Sequence, residues 1–226
     1  MTEIYVVRHC EAQGNVTRSF QGVTDTDISD LGEKQLSFLS DRFKNIHIDA
    51  VYSSPFKRAL RTAAAVADPK GLEINKMYEL HEINGGVLEG RPFAEVFAER
   101  PDIADIWDNH PEDLDPESGE KMTVAYERIY AAVREIADKN RGKSTAVFSH
   151  GGAIRCLNCR LLFGDIKRLK DTNWCENTGV SLIRFDDDLN PTLVFMNDSS
   201  HVPDEYMPKR SRLATLHGST EAEKKV

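Results

Sequence analysis

The strongest constraint on this chain is an alternation. Short β-branched and apolar runs, each too short for a buried helix, recur between stretches whose apolar residues repeat every three or four positions. Residues 4–7, 50–52, 145–148, 180–185 and 192–196 read as strands. A helix starts near Ser29 and runs through Leu36, Leu39 and Phe43; another carries Tyr126, Ile129, Tyr130, Val133 and Ala137; a third follows Gly152 through Ile154, Leu157 and Leu161. Strands and helices in this order predict βαβ units, hence an α/β fold around a buried, mostly parallel sheet.

The chain's 226 residues suit one medium domain with excursions, expected over residues 1–202. Residues 93–120 break the alternation with one short helical pattern (Phe93, Val96, Phe97), three prolines and an acidic second half. About 91–122 therefore reads as an excursion over the sheet. Residues 203–226 are polar with few apolar anchors and read as a mobile tail.

Asp and Glu number 37 against 29 Lys and Arg, a net charge of −8, so no overall basic footprint for nucleic acid or an anionic membrane is present. Any anion site has to be local. The chain opens without a cationic segment leading into an apolar stretch, and no run approaches membrane-span length, so a cytoplasmic protein with no membrane partner is expected. Its four cysteines do not resemble a disulfide framework. Cys156 and Cys159 form a C-x-x-C, but one such pair is half of a zinc site, so they read as core thiols on one helix face and no metal is expected.

Ligands of open α/β sheets bind beyond the carboxyl ends of the strands. There this acidic chain concentrates its cations: Arg8-His9, then Ser53-Ser54-Pro55-Phe56-Lys57-Arg58, then Ser149-His150-Gly151-Gly152. Ser54 resembles an N-cap and Pro55 a first helical residue, which places Arg58 in or near the first turn, where the helix dipole disfavours a cation unless an anion binds the same end. Each residue alone has an ordinary explanation, an exposed arginine or a structural histidine. Together, Arg8, Arg58 and backbone amides can surround a phosphoryl group's oxygens. Neighbouring guanidinium groups would hold His9 neutral and able to attack phosphorus. His150, followed by two glycines, would hydrogen-bond an equatorial oxygen. A departing alkoxide also needs a proton, and Glu79, Glu82 and Glu89, in and around a glycine-marked loop, compete for that role.

Val6-Val7-Arg8-His9-Cys10-Glu11-Ala12-Gln13-Gly14-Asn15, continued by Phe20-Gln21-Gly22, resembles the R-H-G-E signature of the histidine phosphatase superfamily, the phosphoglycerate-mutase-like family. Ser53-Ser54-Pro55-Phe56-Lys57-Arg58-Ala59-Leu60-Arg61-Thr62 is similar to its S-x-x-x-R-A-x-x-T element, Glu82 to Gly90 to its acid-bearing E-x-x-x-G-x-x-E-G, and Phe148 to Gly152 to its second-histidine element. Asn177-Thr178-Gly179-Val180 and the run from Asn197 to His201 extend the likeness. The resemblance implies a three-layer αβα fold and a mechanism needing neither metal nor cofactor. In it His9 becomes phosphohistidine, Arg8, Arg58 and His150 stabilise the oxygens, and Glu82 protonates the leaving oxygen and then activates water. It further implies a phosphate-binding role for Asn15, Gln21, Gly22 and Gly151. Cys10 stands where the family usually has glycine. It is expected to crowd the loop yet be tolerated, and, beside two arginines, to be acidified and oxidisable.

Mutases of this family clamp a phosphoglycerate carboxylate with an arginine pair in the excursion, where this chain has Ile106-Trp107-Asp108-Asn109. Residues 102–120 hold eight acids and no Lys or Arg, which would repel a second anionic group on the substrate. The chain thus resembles the phosphatase branch, a histidine acid-type phosphatase whose partner is a small phosphorylated metabolite. A phosphoglycerate mutase and an inactive phospho-ligand-binding module are the alternatives.

Overall fold

In the computed structural model, which describes residues 1–207, the apolar runs become strands of one sheet. The strands are β1 (Thr2–Arg8), β2 (Ala50–Ser53), β3 (Ile74–Lys76), β4 (Ser144–Ser149), β5 (Val180–Phe185) and β6 (Pro191–Asp198). They lie in the order β3-β2-β4-β1-β5-β6. The first four in that order pair in parallel, and β5 and β6 complete the sheet in antiparallel fashion. β3 has one apolar residue and lies at the sheet edge, so no apolar run announced it.

The helices are α1 (Gln13–Thr17), α2 (Asp30–Phe43), α3 (Lys57–Ala67), α4 (Phe93–Glu99), α5 (Pro101–Asn109), α6 (Met122–Lys139) and α7 (Gly151–Phe163). Alternation along the strands divides the core into two. Ile4, Val6 and Val147 pack with Ile129, Val133, Ile136, Ile154 and Leu157 of α6 and α7. Val7, Ala146 and Phe148 pack on the other face with Leu39, Phe43, Ala63 and Val66 of α2 and α3. Successive side chains of a strand point to opposite faces, so these two cores on one sheet are the three-layer αβα arrangement.

α2 starts as expected, with Ser29 Oγ accepting from Gly32 N at 3.0 Å. α3 does not. Its N-cap is Phe56, in extended conformation (φ −74°, ψ 142°), and Ser54 and Pro55 stay outside the helix. The free Lys57 amide is instead taken by the distant Asp25 carboxylate at 2.7 Å, while Ser54 continues the sheet ladder by donating its amide to Phe148 O.

Within the excursion, Phe20, Leu88, Val96 and Ile103 form a third apolar cluster, with Phe93, Phe97 and Trp107 packed against it. Trp107 also packs on the core beside α6 and α7, and it stacks on Trp174 with centroids 5.9 Å apart. The excursion is therefore anchored to the main body. The segment expected as a tail begins with a short 3₁₀ turn, Asp204–Tyr206, whose Tyr206 carbonyl accepts from Gln35 of α2; residues 208–226 lie outside the described residues. Cys156 and Cys159 are both buried in the core along α7. No described helix is long and apolar enough to cross a membrane.

Phe148→Ala is expected to lower stability by about 3–5 kcal/mol, whereas Val194→Ala, on an exposed position of β6, should stay within about 0.5 kcal/mol. Urea unfolding of the two variants beside wild type measures both.

Candidate active site

Parallel register brings three strand ends to one edge. Arg8 of β1 lies opposite Ser149 of β4, and Ser53 of β2 opposite Phe148. The ladder continues one residue further on each side, His9 N donating to Ser149 O and Ser54 N to Phe148 O, both at 3.0 Å. His9, Ser54 and His150 are thereby set side by side by backbone bonds. The His9 and His150 rings are 5.2 Å apart, centroid to centroid.

His9 Nδ1 lies 2.6 Å from the Cys10 carbonyl. A carbonyl only accepts, so Nδ1 carries the proton and Nε2 presents its lone pair, with no bond from any described residue. Burial, then the Arg58 and Arg8 guanidinium groups, hold His9 well below the ordinary histidine range. The ring is a neutral base with one free nitrogen. Its carbonyl is fixed in turn by Asn177 Nδ2 at 2.9 Å, and the Thr178 amide, from a left-handed residue (φ 57°), bonds Arg8 O.

Arg58 is fully buried on the first turn of α3. Its Nε donates to His150 Nδ1 at 3.1 Å, Nη1 to Thr24 O at 2.9 Å, and Nη2 to Gln21 O at 2.6 Å and Gly22 O at 3.1 Å. Arg8 donates Nη1 to Cys175 O, but its buried Nε finds no acceptor among the described residues. Neither guanidinium has a carboxylate within salt-bridge distance among those residues. One buried and one half-buried cation beside a neutral imidazole can together receive an anion.

The three candidate acids separate cleanly. Glu79 is exposed. Glu89 is committed to the loop that holds Arg58, accepting from Gly22 N, Gly85 N, Thr24 N and Thr24 Oγ1 at 2.6–2.9 Å. Glu82 reaches the start of α7, directly after His150: Oε1 accepts from Ile83 N and Ala153 N, and Oε2 from Gly152 N at 2.7 Å. Oε1 has both lone pairs engaged, whereas Oε2 keeps one free for a proton. The Glu82 loop is pinned from below by Ser149 Oγ donating to Leu80 O at 2.8 Å. Arg128 of α6 pins it from the side, donating to the Glu79 and His81 carbonyls while its other nitrogens hold Glu120 at 2.7 Å.

The glycines of the second-histidine element have distinct uses. A Cβ on Gly151 would stand 3.2 Å from Arg8 Nε, and one on Gly152 2.7 Å from Glu82 Oε1. The other residues expected to bind phosphate lie around these groups. Gln21 and Gly22 hold Arg58 through their carbonyls, and the Asn15 side chain accepts from Ala12 N at 2.9 Å, closing the start of α1. Ser54, Thr62, Arg128 and Asn177 are the supports that residue-level reading assigned no such role. Thr62 Oγ1 joins two of the elements, donating to Arg58 O at 2.7 Å and accepting from Cys10 N at 3.0 Å.

Cys10 corrects an expectation. Its thiol is fully buried and packs toward α2, near Gly32, so it does not crowd the His9 ring. Burial pushes the thiol up to about 12, opposite to the acidification expected from its neighbours in sequence, because Arg8 and Arg58 point elsewhere.

With this geometry in place, the comparisons with known proteins are decisive about kinship. The model of the histidine phosphatase superfamily (branch 1) matches residues 4–199. The chain belongs to this superfamily. It is 29% identical over 207 residues to phosphoserine phosphatase 1 of Hydrogenobacter thermophilus, covering 92% of this chain and 97% of that one. It is 34% identical over 203 residues to phosphoglycerate mutase-like protein 4 of Arabidopsis thaliana, covering 88% and 86%. Among solved structures, Bacillus stearothermophilus YhfR superposes with a TM-score of 0.85 at 27% identity, covering 89% of this chain and 99% of that one. A mutant phosphoserine phosphatase from Entamoeba histolytica in complex with phosphoserine gives 0.77 at 26% identity, covering 90% and 100%.

The histidines give the superfamily site a pH signature. Burial lowers His9, His150, His81 and His201, the last to about 4. Each takes up a proton more readily in the unfolded chain, so stability is full above the unfolded value of about 6.5 and falls as pH drops through the folded values. Urea midpoints at about pH 7.5 and about pH 5.5 test this, the second expected lower. Equal midpoints would contradict it.

Proposed function

We propose that this chain is a metal-independent phosphomonoesterase that works through a phosphohistidine on His9. The observation that carries the reading is the free Nε2 of a neutral, buried His9 beside two guanidinium groups, Arg58 buried and Arg8 half-buried, that have no carboxylate partner among the described residues. In the first step Nε2 attacks phosphorus, the bond to the leaving oxygen breaks, and Glu82 supplies that oxygen's proton through Oε2. In the second step the Glu82 carboxylate takes a proton from water, whose oxygen displaces His9 and releases inorganic phosphate. Arg8 and Arg58 meet the charge on the phosphoryl oxygens in both steps; His150, expected as a third oxygen ligand, has both ring nitrogens engaged by Arg58 and Ser54 and acts through Arg58.

The substrate class is a small phosphorylated metabolite. Relatives named phosphoserine phosphatase, and a related structure holding phosphoserine, support this class. A mutase reading is favoured by the names of relatives at 33–34% identity, phosphoglycerate mutase-like protein 4 and the probable phosphoglycerate mutase GpmB of Yersinia pestis. The acidic excursion weighs against it, though less than its composition suggests. Three of its eight acids, Asp102, Asp115 and Glu120, are paired with Arg100, Lys121 and Arg128 from outside the stretch. The binding-module reading loses its premise because the Cys10 side chain is turned away from the site. We take residues 1–202 as the catalytic unit, roofed by about 91–122. The finer class is that of a histidine acid-type phosphatase, and four buried free thiols suit a cytoplasmic enzyme.

The test is hydrolysis of p-nitrophenyl phosphate in excess EDTA. Wild type should turn over, His9→Ala should lose at least about a thousandfold in kcat, and Cys10→Gly should stay within about threefold of wild type. Activity abolished by EDTA would overturn the metal-independent mechanism. Interconversion of phosphoglycerates dependent on a bisphosphorylated primer, in place of phosphate release, would favour the mutase.

A further inference from the structure

Ser54 is displaced from the helix-capping role its sequence context suggests, and the structure gives its hydroxyl another partner. Ser54 Oγ lies 2.8 Å from His150 Nε2, and both residues are fully buried. On the opposite side of the ring, Arg58 Nε reaches His150 Nδ1 at 3.1 Å. A guanidinium nitrogen only donates, so Nδ1 has to present its lone pair, and a neutral ring has to carry its proton on Nε2. The charged or titratable groups that act on this ring are Arg58 from α3, His9 just after β1, His81 from the acid loop and Arg128 from α6. None is an anion, and after burial these neighbours keep His150 neutral. The Nε2 proton then has one acceptor among the described residues, Ser54 Oγ.

We propose that Ser54 is a positioning residue of the phosphoryl-transfer site, one that accepts the Nε2 proton of His150 and so fixes the imidazole in the tautomer that receives Arg58 Nε. The inference rests on the reading of Arg58 as a phosphoryl-oxygen ligand and says what aims it. Ser54 is itself located by the sheet, through its amide on Phe148 O and its carbonyl, which accepts from Ser53 Oγ at 2.8 Å. Phe56 closes the same side, its ring 6.0 Å from that of His150 and 5.4 Å from the Arg58 guanidinium carbon. Ser54 and His150 are both fully buried, so bulk water does not reach this contact. Without that hydroxyl, the His150 Nε2 proton has no acceptor, and moving it to Nδ1 would set two N–H groups against each other. The ring or the guanidinium has to shift.

The experiment pairs kinetics on p-nitrophenyl phosphate with long-range proton–nitrogen NMR of labelled histidines, which reports the tautomer directly. Wild type should show His150 protonated on Nε2. Ser54→Ala should lose that single signature and about tenfold or more in kcat, with a smaller change in KM, and Ser54→Thr should restore both. A Ser54→Ala protein that keeps the wild-type His150 spectrum, whether kcat falls or not, would overturn the proposal. A wild-type protein without turnover, in which Ser54→Ala still changes the spectrum, would overturn the phosphatase reading and uphold the Ser54 contact.

Discussion

The site depends on the burial of Arg58. Removing a guanidinium from water costs several kcal/mol, and among the described residues no carboxylate makes an ion pair with Arg58 to offset it directly. The chain compensates with backbone carbonyls of the 21–24 loop and with the His150 ring. That compensation dictates much else. The loop has to curl over the guanidinium, which calls on Gly22, where a Cβ would fall 2.1 Å from Ile83 O, and on Glu89, which gathers the loop's amides. A carbonyl cradle satisfies the donors without cancelling the charge, so the positive potential is left for a phosphoryl group.

The same economy appears around His9. Three parallel strand ends, held in register by the ladder, deliver His9, Ser54 and His150 within one crevice, as doubly wound sheets generally do. Orientation comes from carbonyls and amides and needs no titratable partner. The Cys10 carbonyl fixes the His9 tautomer, and Asn177 and Thr178 fix the backbone that carries it. The proton-carrying group is kept on a separate element, the Glu82 loop, secured by Ser149 and Arg128. His9, Arg58 and Glu82 thus sit on separate parts of the fold that are tied to one another through Thr62, Glu89 and the start of α7.

The sequence shows five of the six strands through their apolar runs, the edge strand β6 among them by its Leu193-Val194-Phe195-Met196, and it hides β3, an edge strand of three residues with one apolar side chain. It placed Arg8, His9, Arg58 and His150 at strand ends, where the topology brings them together. The choice among Glu79, Glu82 and Glu89 was open at the level of residues, and the family resemblance alone selected Glu82. The structure supplies a physical reason, in that Glu89 is consumed by loop amides while Glu82 faces the start of α7. What was illegible were contacts made across long sequence separation. Ser54 looked like a local cap because Asp25, 32 positions from Lys57, could not be seen to do that work. Cys10 looked acidified because adjacency in sequence was taken for adjacency of side chains.

The central claim is that His9 itself takes the phosphoryl group, and the most direct measurement is of that bond. Wild-type protein mixed with p-nitrophenyl phosphate, quenched within milliseconds in alkali and examined by intact-mass and fragment spectrometry, should carry one phosphoryl group, lost on acid treatment and mapping to His9. Turnover without any trapped phosphoryl group, in the Glu82→Gln variant as well, where breakdown of the intermediate should be slowed, would contradict it and point to direct attack by water.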